Sequence, residues 1–405
     1  GLMRGEIDHV AVVGAGLVGV ELAEAFHSLW GADVTLIEAA ATPLPEILDP
    51  ELGAVVARHL EANEVRVMTG SAVAEIEADD EGVSVTVGSE VIRADAVVVA
   101  VGVTPQVELA KAVGAELGPT RAIRVNERLE TTVPHVWAAG DCVECRHIVT
   151  GGPAYLPLGS LANRQGRVLA DVLAGREAHF GPVAGSAAVK VFDLNVAAVG
   201  CTSNRLGADG LGVRQVWVSA EDRAHYWPEA KLILLGMVYD PLTRRVFGVQ
   251  AVGEEGEVAK RIDVATQLVL RGAPIADFEK IEHAYAPPYA PALDPLAVLA
   301  MAAANQVEGI ESVSPVTDLG PETVLDVRVL EEREERPLVA GTLCEIEVGE
   351  LRDRADEIPD GPLLVACAHG IRSAEVVRWH SQRGIQARYL GGGVSWRVRA
   401  QRTQA

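Results

Sequence analysis

Residues 8–19 read Asp8-His-Val-Ala-Val-Val-Gly14-Ala-Gly16-Leu-Val-Gly19, an apolar run that breaks into three spaced glycines. A helical stretch from Val20 to Trp30 follows, then a Gly31-Ala turn and a second β-rich run, Asp33-Val-Thr-Leu-Ile-Glu38. Strand, tight turn, helix and strand at this spacing form a βαβ unit and predict a doubly wound parallel sheet. Gly14-x-Gly16-x-x-Gly19 stands where backbone amides and a helix N-terminus approach a pyrophosphate. Glu38 ends the second strand about 20 residues on, placed to accept hydrogen bonds from an adenosine ribose and to repel a 2′-phosphate. NADH is therefore favoured over NADPH.

Further apolar runs at 65–68, 83–87 and 95–101 predict additional strands, with Ala94-Asp-Ala-Val-Val-Val-Ala100 the most buried in character. Gly102, just past the last run, joins Gly14, Gly16, Gly19 and Glu38 as a candidate cofactor-binding position. The first domain is expected over 1–105. Residues 106–182 hold a strand ending at Ala138-Ala-Gly140-Asp141 and a long helix from about Gly159. Residues 183–305 read as mixed strands and helices, with Leu232–Tyr239 and Val246–Val252 antiparallel neighbours about a turn at Asp240-Pro241. The polar stretch Asn305–Ser314 reads as a linker. A last unit, 313–405, is expected to carry strands at 323–326 and 363–366 and a helix from Ser373.

The 405 residues suffice for two to four domains. A formal charge of -22 disfavours nucleic-acid backbones and anionic membrane surfaces. No apolar run approaches the roughly 20 residues a spanning helix needs, and the opening lacks the apolar core of a signal peptide, so a cytoplasmic location is expected. Five cysteines, Cys142, Cys145, Cys201, Cys344 and Cys367, are too few and scattered for a disulfide framework.

Thr131-Thr-Val-Pro-His-Val-Trp-Ala-Ala-Gly140-Asp141 resembles the second flavin motif of the two-dinucleotide-binding-domain flavoproteins, in which the Asp meets the FAD ribitol. Pro157-Leu-Gly-Ser-Leu-Ala-Asn163-Arg-Gln165-Gly166-Arg resembles the helix that follows beneath the flavin ring. Residues 5–305 resemble, in order and spacing, the group of coenzyme A disulfide reductases, persulfide reductases and NADH oxidases. Ala224-His-Tyr226-Trp-Pro and His283-Ala-Tyr285-Ala-Pro-Pro-Tyr289 echo that group's dimerisation domain. The resemblance implies FAD and NADH as cofactors, Gly140 and Asp141 as flavin contacts, and Glu21, two residues after the last motif glycine, near the nicotinamide. Glu21 reads equally well as a surface helix residue. Tyr226 and Tyr285 would protonate or position a leaving thiolate, as neutral phenols donate hydrogen bonds. Cys142-Val-Glu-Cys145 reads as a redox or metal-binding pair, or as small side chains packed beneath the flavin loop, the preferred reading.

Such enzymes open with a further Gly-x-Gly-x-x-Gly for the ADP of FAD and a single redox cysteine. Neither precedes Gly14, so the sequence is expected to be a fragment or a shortened product that holds FAD weakly.

Residues 313–400 resemble a rhodanese domain. Val324-Leu-Asp326-Val-Arg328 matches its early Asp-x-Arg strand and Tyr389-Leu-Gly391-Gly-Gly-Val-Ser-Trp396 its closing Gly-Gly-x-x-x-Trp. Between them, Leu364-Val-Ala-Cys367-Ala-His369-Gly370-Ile-Arg372-Ser373 sets a cysteine at a strand end before a loop that opens a helix. Amides and the positive helix end stabilise a thiolate or persulfide there, and Arg372 supplies a cation for an anionic donor. The C-x4-R spacing favours sulfur over the phosphate taken by C-x5-R relatives. The resemblance implies a homodimer reducing a small-molecule disulfide or persulfide, coenzyme A among the candidates, with Cys367 carrying sulfane sulfur. The alternatives are a dimeric scaffold on which only Cys367 is active, and an NADH oxidase.

Overall fold

The computed structural model describes residues 3, 5–80, 82–320 and 322–401. The His9–Val13 strand pairs in parallel with Asp33–Ile37 on one side and Ala96–Val99 on the other, and Arg66–Met68 completes the four-stranded sheet. One face buries Val10, Val12, Val34 and Leu36 under helices Leu17–Trp30 and Pro50–Ala62. The other face packs Ala11, Val13 and Ile37 on Val85, Val87 and Ile92 of a three-stranded antiparallel sheet, Val73–Asp79, Gly82–Val87 and Glu90–Ala94. The run expected to be most buried behaves otherwise. Ala96–Val99 is an edge strand, and Val99 and Val101 are 59% and 70% exposed. Their apolar side chains line a cleft rather than a core.

Beyond it come a short helix, Glu108–Ala112, a two-stranded ribbon, Cys145–Arg146 with Pro153–Ala154, and the long helix Gly159–Leu173. Leu161 packs with Leu129, Cys145, Phe180 and Val183.

A five-stranded antiparallel sheet follows in the order Ala187–Val191, Leu194–Gly200, Val246–Glu254, Leu232–Tyr239, Arg214–Glu221. Its central strand Leu232–Tyr239 is apolar almost throughout because both faces are covered. Val196, Leu234 and Val252 meet the first sheet's core, and Leu235, Met237 and Val249 meet helices Ala259–Val269 and Pro295–Val307. The expected hairpin is formed, with Leu234 opposite Val252. Leu296, Leu299, Ala300 and Ala303 are buried against the chain's own sheet, so the 296–304 segment needs no partner to cover it.

The last sheet is parallel, in the order Ser312–Val313, Ala387–Leu390, Leu363–Ala366, Thr323–Asp326, Thr342–Glu345. The expected linker at 305–314 is shorter than read. Pro295–Val307 runs helical through its first residues and Ser312–Val313 already pairs with Tyr389 and Leu390. Helix Ile371–Ser381 begins two residues ahead of the expected Ser373. No helix among the described residues is long and apolar enough to cross a membrane.

The three sheets meet at the start of the Pro50–Ala62 helix. Buried Asp49 accepts from Ser203 N and Oγ, each at 2.8 Å, and from Gln250 Nε2 at 2.6 Å. Glu51 accepts from Ser314 Oγ at 2.8 Å, and its backbone oxygen takes the indole N–H of fully buried Trp396 at 3.3 Å. Its Oε2 has no hydrogen-bond partner, and burial pushes the Glu51 carboxyl above its ordinary range. A carboxyl raised in the folded state contributes least at high pH, because ionising it inside the protein costs more than in the open chain. Glu51→Gln should therefore raise the melting temperature at pH 7 more than at pH 4.5. An equal change at both pH values, or a loss at pH 7, contradicts the assignment.

Candidate functional site

The three glycines of the opening motif occupy three different positions. Gly14 has φ +99°, and a Cβ there would lie 2.5 Å from the Ala100 carbonyl oxygen. A Cβ on Gly19 would overlap the Gly14 carbonyl oxygen, so Gly19 lets the helix press on the strand. A Cβ on Gly16, which caps the Leu17–Trp30 helix, would meet nothing within 4 Å. Gly16 faces a cleft of about 1200 Å³. Glu38 lines the same wall, its carboxylate accepting from Ala15 N at 2.7 Å and Ala40 N at 2.8 Å. These bonds fix the carboxylate beside the glycine turn with lone pairs still available.

Asp141, Cys142, Tyr155 and Pro157 line the same cleft, as does Val99–Gln106, including Gly102. Gly140, at φ +91°, donates its N–H to Gln165 Oε1 at 2.6 Å, and Gln165 Nε2 reaches Cys145 Sγ at 3.3 Å. The turn that carries Asp141 is thus tied to the Gly159–Leu173 helix. Cys142 and Cys145 are both free thiols. Cys142 Sγ donates to Ala139 O at 3.4 Å while Cys145 is buried. Burial raises both thiols, and among the described residues no group of three or more His, Cys, Asp or Glu is arranged to hold a metal. Glu21 is exposed on its helix and does not line the cleft.

Tyr226 and Tyr285 are brought together at the surface, 64% and 51% exposed. Desolvation and the Tyr285 hydroxyl, to which it is hydrogen-bonded, push the Tyr226 phenol up. Neither lines the cleft.

Cys367 ends the Leu363–Ala366 strand, 1% exposed. Its Sγ accepts from Gly370 N at 3.1 Å and Ser373 N at 3.4 Å, and Ser373 Oγ lies 3.0 Å away. The loop carbonyls turn outward. Cys367 O accepts from Val394 N at 2.9 Å and Ala368 O from Ser395 N at 3.0 Å, and a Cβ on Gly393 would overlap Ala368 O. The amides consequently face the sulfur, an anion-binding arrangement. Arg372 lies beside it, held above its ordinary value against the cost of burial by Glu332 and by Cys367. His369 is lowered by burial and by Arg372, so it stays neutral.

The family profile "Pyridine nucleotide-disulphide oxidoreductase" matches residues 2–166, and the profile of that family's dimerisation domain matches 186–297. The structure of a NAD-dependent persulfide reductase from A. fulgidus is 38% identical and superposes with a TM-score of 0.92 over 98% of this chain and 72% of that one. This chain belongs to the pyridine nucleotide-disulphide oxidoreductase family. Bacillus anthracis CoADR-RHD, in its reduced form, is 31% identical at a TM-score of 0.90, again over 98% of this chain and 72% of that one. The NAD(P)H coenzyme A polysulfide/persulfide reductase of Pyrococcus horikoshii is 35% identical over 295 residues, 73% of this chain. The chain spans 65% of the length of that relative. FAD and NAD(P)H are the cofactors typical of this oxidoreductase family.

Two residues around Cys367 were not legible as such. Ser373 sits in the quoted loop, but its hydroxyl contact depends on the turn of the helix. Glu332 pairs with Arg372 from 40 positions away, at 2.6 and 2.8 Å. Its one local signal is its place in the first turn of the Leu330–Glu335 helix, where Val329 N donates to Oε2 at 3.2 Å.

The glycine geometry separates fold from binding. Gly19→Ala forces helix and strand apart and should destabilise the protein by about 1–3 kcal/mol. Gly16→Ala should leave the melting temperature nearly unchanged and weaken dinucleotide binding, since its methyl enters open cleft. Denaturant titration with NADH binding checks both, and equal effects of the two substitutions on stability contradict the account.

Proposed function

We propose that this chain works as an NADH-dependent reductase of coenzyme A disulfide, persulfide or related sulfane sulfur, with FAD as its second cofactor and a sulfurtransferase centre at Cys367. The reading divides the chain into an NADH-binding unit at 1–105, a flavin-contacting unit at 106–182, a dimerisation unit at 183–305 and a rhodanese-like unit at 313–405. The carrying observation is that the glycine turn and Asp141 line one cleft.

The residues present fit both cofactors. Gly16 leaves the space above the helix N-terminus open, and its amides attract a pyrophosphate. Glu38 is held where it accepts from ribose hydroxyls and opposes a 2′-phosphate. Asp141 is exposed to the cleft from a turn fixed by Gln165, a fit for flavin polyol hydroxyls. Bound there, the two cofactors supply hydride chemistry. Val99, Val101 and Val103 present an apolar wall that excludes water around it. The names of the relatives, which include coenzyme A and persulfide reductases, support the substrate class.

Tyr226, its phenol raised above its ordinary value by desolvation and by Tyr285, stays protonated at neutral pH, and the two tyrosines offer hydroxyl donors to a leaving thiolate. Their exposure beside Tyr289 and Leu293 supports a homodimer in which this surface meets a partner. With FAD supplied, the chain should consume NADH when given a coenzyme A persulfide, and Glu38→Ala should reduce the preference for NADH over NADPH by about tenfold. Equal use of both nucleotides, unaffected by the substitution, contradicts the reading.

A second reading confines activity to Cys367, because its donors all come from one loop and one helix. Alignment of both solved relatives over 98% of the chain takes in this unit. Incubation with a persulfide should add one sulfur mass to the Cys367 peptide, reversibly with thiol. Cys367→Ser should abolish it and Arg372→Ala slow it roughly ten- to a hundredfold, the effect of losing a charge-assisted contact. Sulfur appearing on Cys142 or Cys145 instead overturns the assignment.

A further inference from the structure

Three guanidinium groups stand around the Cys367 loop, and each is already engaged. Arg336 donates from Nη1 to Ser395 Oγ at 3.0 Å and pairs through Nη2 with Glu335 at 3.0 Å. Arg399 donates to Ser395 O at 3.1 Å. Arg372, whose charge acts on Cys367, places a single Nη2 against both carboxylate oxygens of Glu332, at 2.6 and 2.8 Å.

That pair is built, not incidental. Asp326 and Arg328 are fully buried, with Arg328 Nη2 donating to Asp326 Oδ2 at 2.7 Å and Nε to Oδ1 at 3.0 Å. Arg328 Nη1 then reaches forward to the carbonyls of Glu332 at 3.0 Å and Arg336 at 2.7 Å. The Asp-x-Arg motif thereby clamps the short helix that presents Glu332. Burial works against the Glu332 carboxylate, but Arg372 outweighs it and holds the carboxyl below its ordinary range. At neutral pH a fixed negative charge sits on the Arg372 cation beside the nucleophile.

We propose that Glu332 sets donor specificity at Cys367, neutralising Arg372 so that the site takes a thiol-borne persulfide and rejects a dianion such as thiosulfate. The proposal rests on the sulfurtransferase reading of Cys367. A dianion that pairs with Arg372 must lie beside the Glu332 carboxylate already held there, with like charges repelling at short range. A persulfide brings at most one charge at its reacting end. The Cys367 thiolate attacks the outer sulfur of R–S–SH, a bond forms between Sγ and that sulfur, and the S–S bond joining it to the inner sulfur breaks. Cys367–S–SH and R–S⁻ result, with the proton retained on the transferred sulfur and no net oxidation.

The test follows sulfur arriving on the Cys367 peptide of the full chain by rapid quench and mass spectrometry, with thiosulfate and glutathione persulfide as donors. The parent protein should load faster from the persulfide. Glu332→Gln keeps one acceptor oxygen for Val329 N and Arg372 Nη2 but removes the charge, and should narrow the donor ratio about tenfold through faster thiosulfate loading. Glu331→Gln, on the same helix and exposed, should leave the ratio unchanged. A purely structural role for Glu332 would slow both donors together, and that result, or an unchanged ratio, overturns the proposal while leaving Cys367 a sulfur carrier. No sulfur on Cys367 from either donor in any of the proteins overturns the sulfurtransferase reading itself, and this proposal with it.

Discussion

Two buried carboxylates at the start of the Pro50–Ala62 helix tie the molecule together. Buried carboxyl groups are costly without hydrogen-bond partners, and the partners here come from different units of the chain. Asp49 is bonded to Ser203 and Gln250 of the central unit, and Glu51 to Ser314 of the last. Trp396 inserts beside them into a core shared by Val56, Leu234 and Val252. The residues just ahead of the helix, Leu44–Ile47, line the cleft. The dinucleotide wall, the central sheet and the last unit are therefore parts of one packed body.

The same junction reaches the sulfur loop. Gly392 donates to Trp217 O at 3.0 Å and accepts from Ser219 Oγ at 2.5 Å, while Val394 and Ser395 hold the carbonyls of Cys367 and Ala368. A Cβ at Gly393 would push the loop away, and one at Gly391 would meet Val313 and Trp217. These glycines let a helix, a loop and a neighbouring sheet converge where side chains would keep them apart. A chain of buried hydrogen bonds runs parallel to them, from Tyr239 to Gln306 and on to Ser312. Burial pushes both Tyr239 and Tyr389 up to about 12, so both phenols stay neutral in this seam.

What could be read from residues alone follows from how local each feature is. The opening strand, turn and helix, the hairpin about Asp240-Pro241 and the Cys367 loop are each specified by contiguous residues, and each is found. Val99 and Val101 misled because an apolar run signals burial without saying whether a core or a cleft receives it. Leu296–Ala304 is the opposite case, since an apolar helix does not say which surface covers it, and here it is the chain's own sheet. Glu332, Glu51 and Trp396 gain their partners across 40, 263 and 345 positions, distances at which a linear pattern carries no signal. Cys201 and His147 form a further buried pair, with Sγ 3.8 Å from Nδ1. Burial pushes the thiol up to about 11 and the imidazole down to about 4, which leaves the pair neutral and inert in the core.

The central claim is that one cleft receives a reduced nicotinamide dinucleotide between the glycine turn and Asp141. A crystal structure of the chain with NADH tests it most directly. The account predicts the pyrophosphate over the amides that follow Gly14, the adenosine ribose hydroxyls within hydrogen-bond reach of Glu38, and the nicotinamide directed toward the wall that bears Asp141. Nucleotide density outside this cleft, or an adenosine ribose turned away from Glu38, would contradict it.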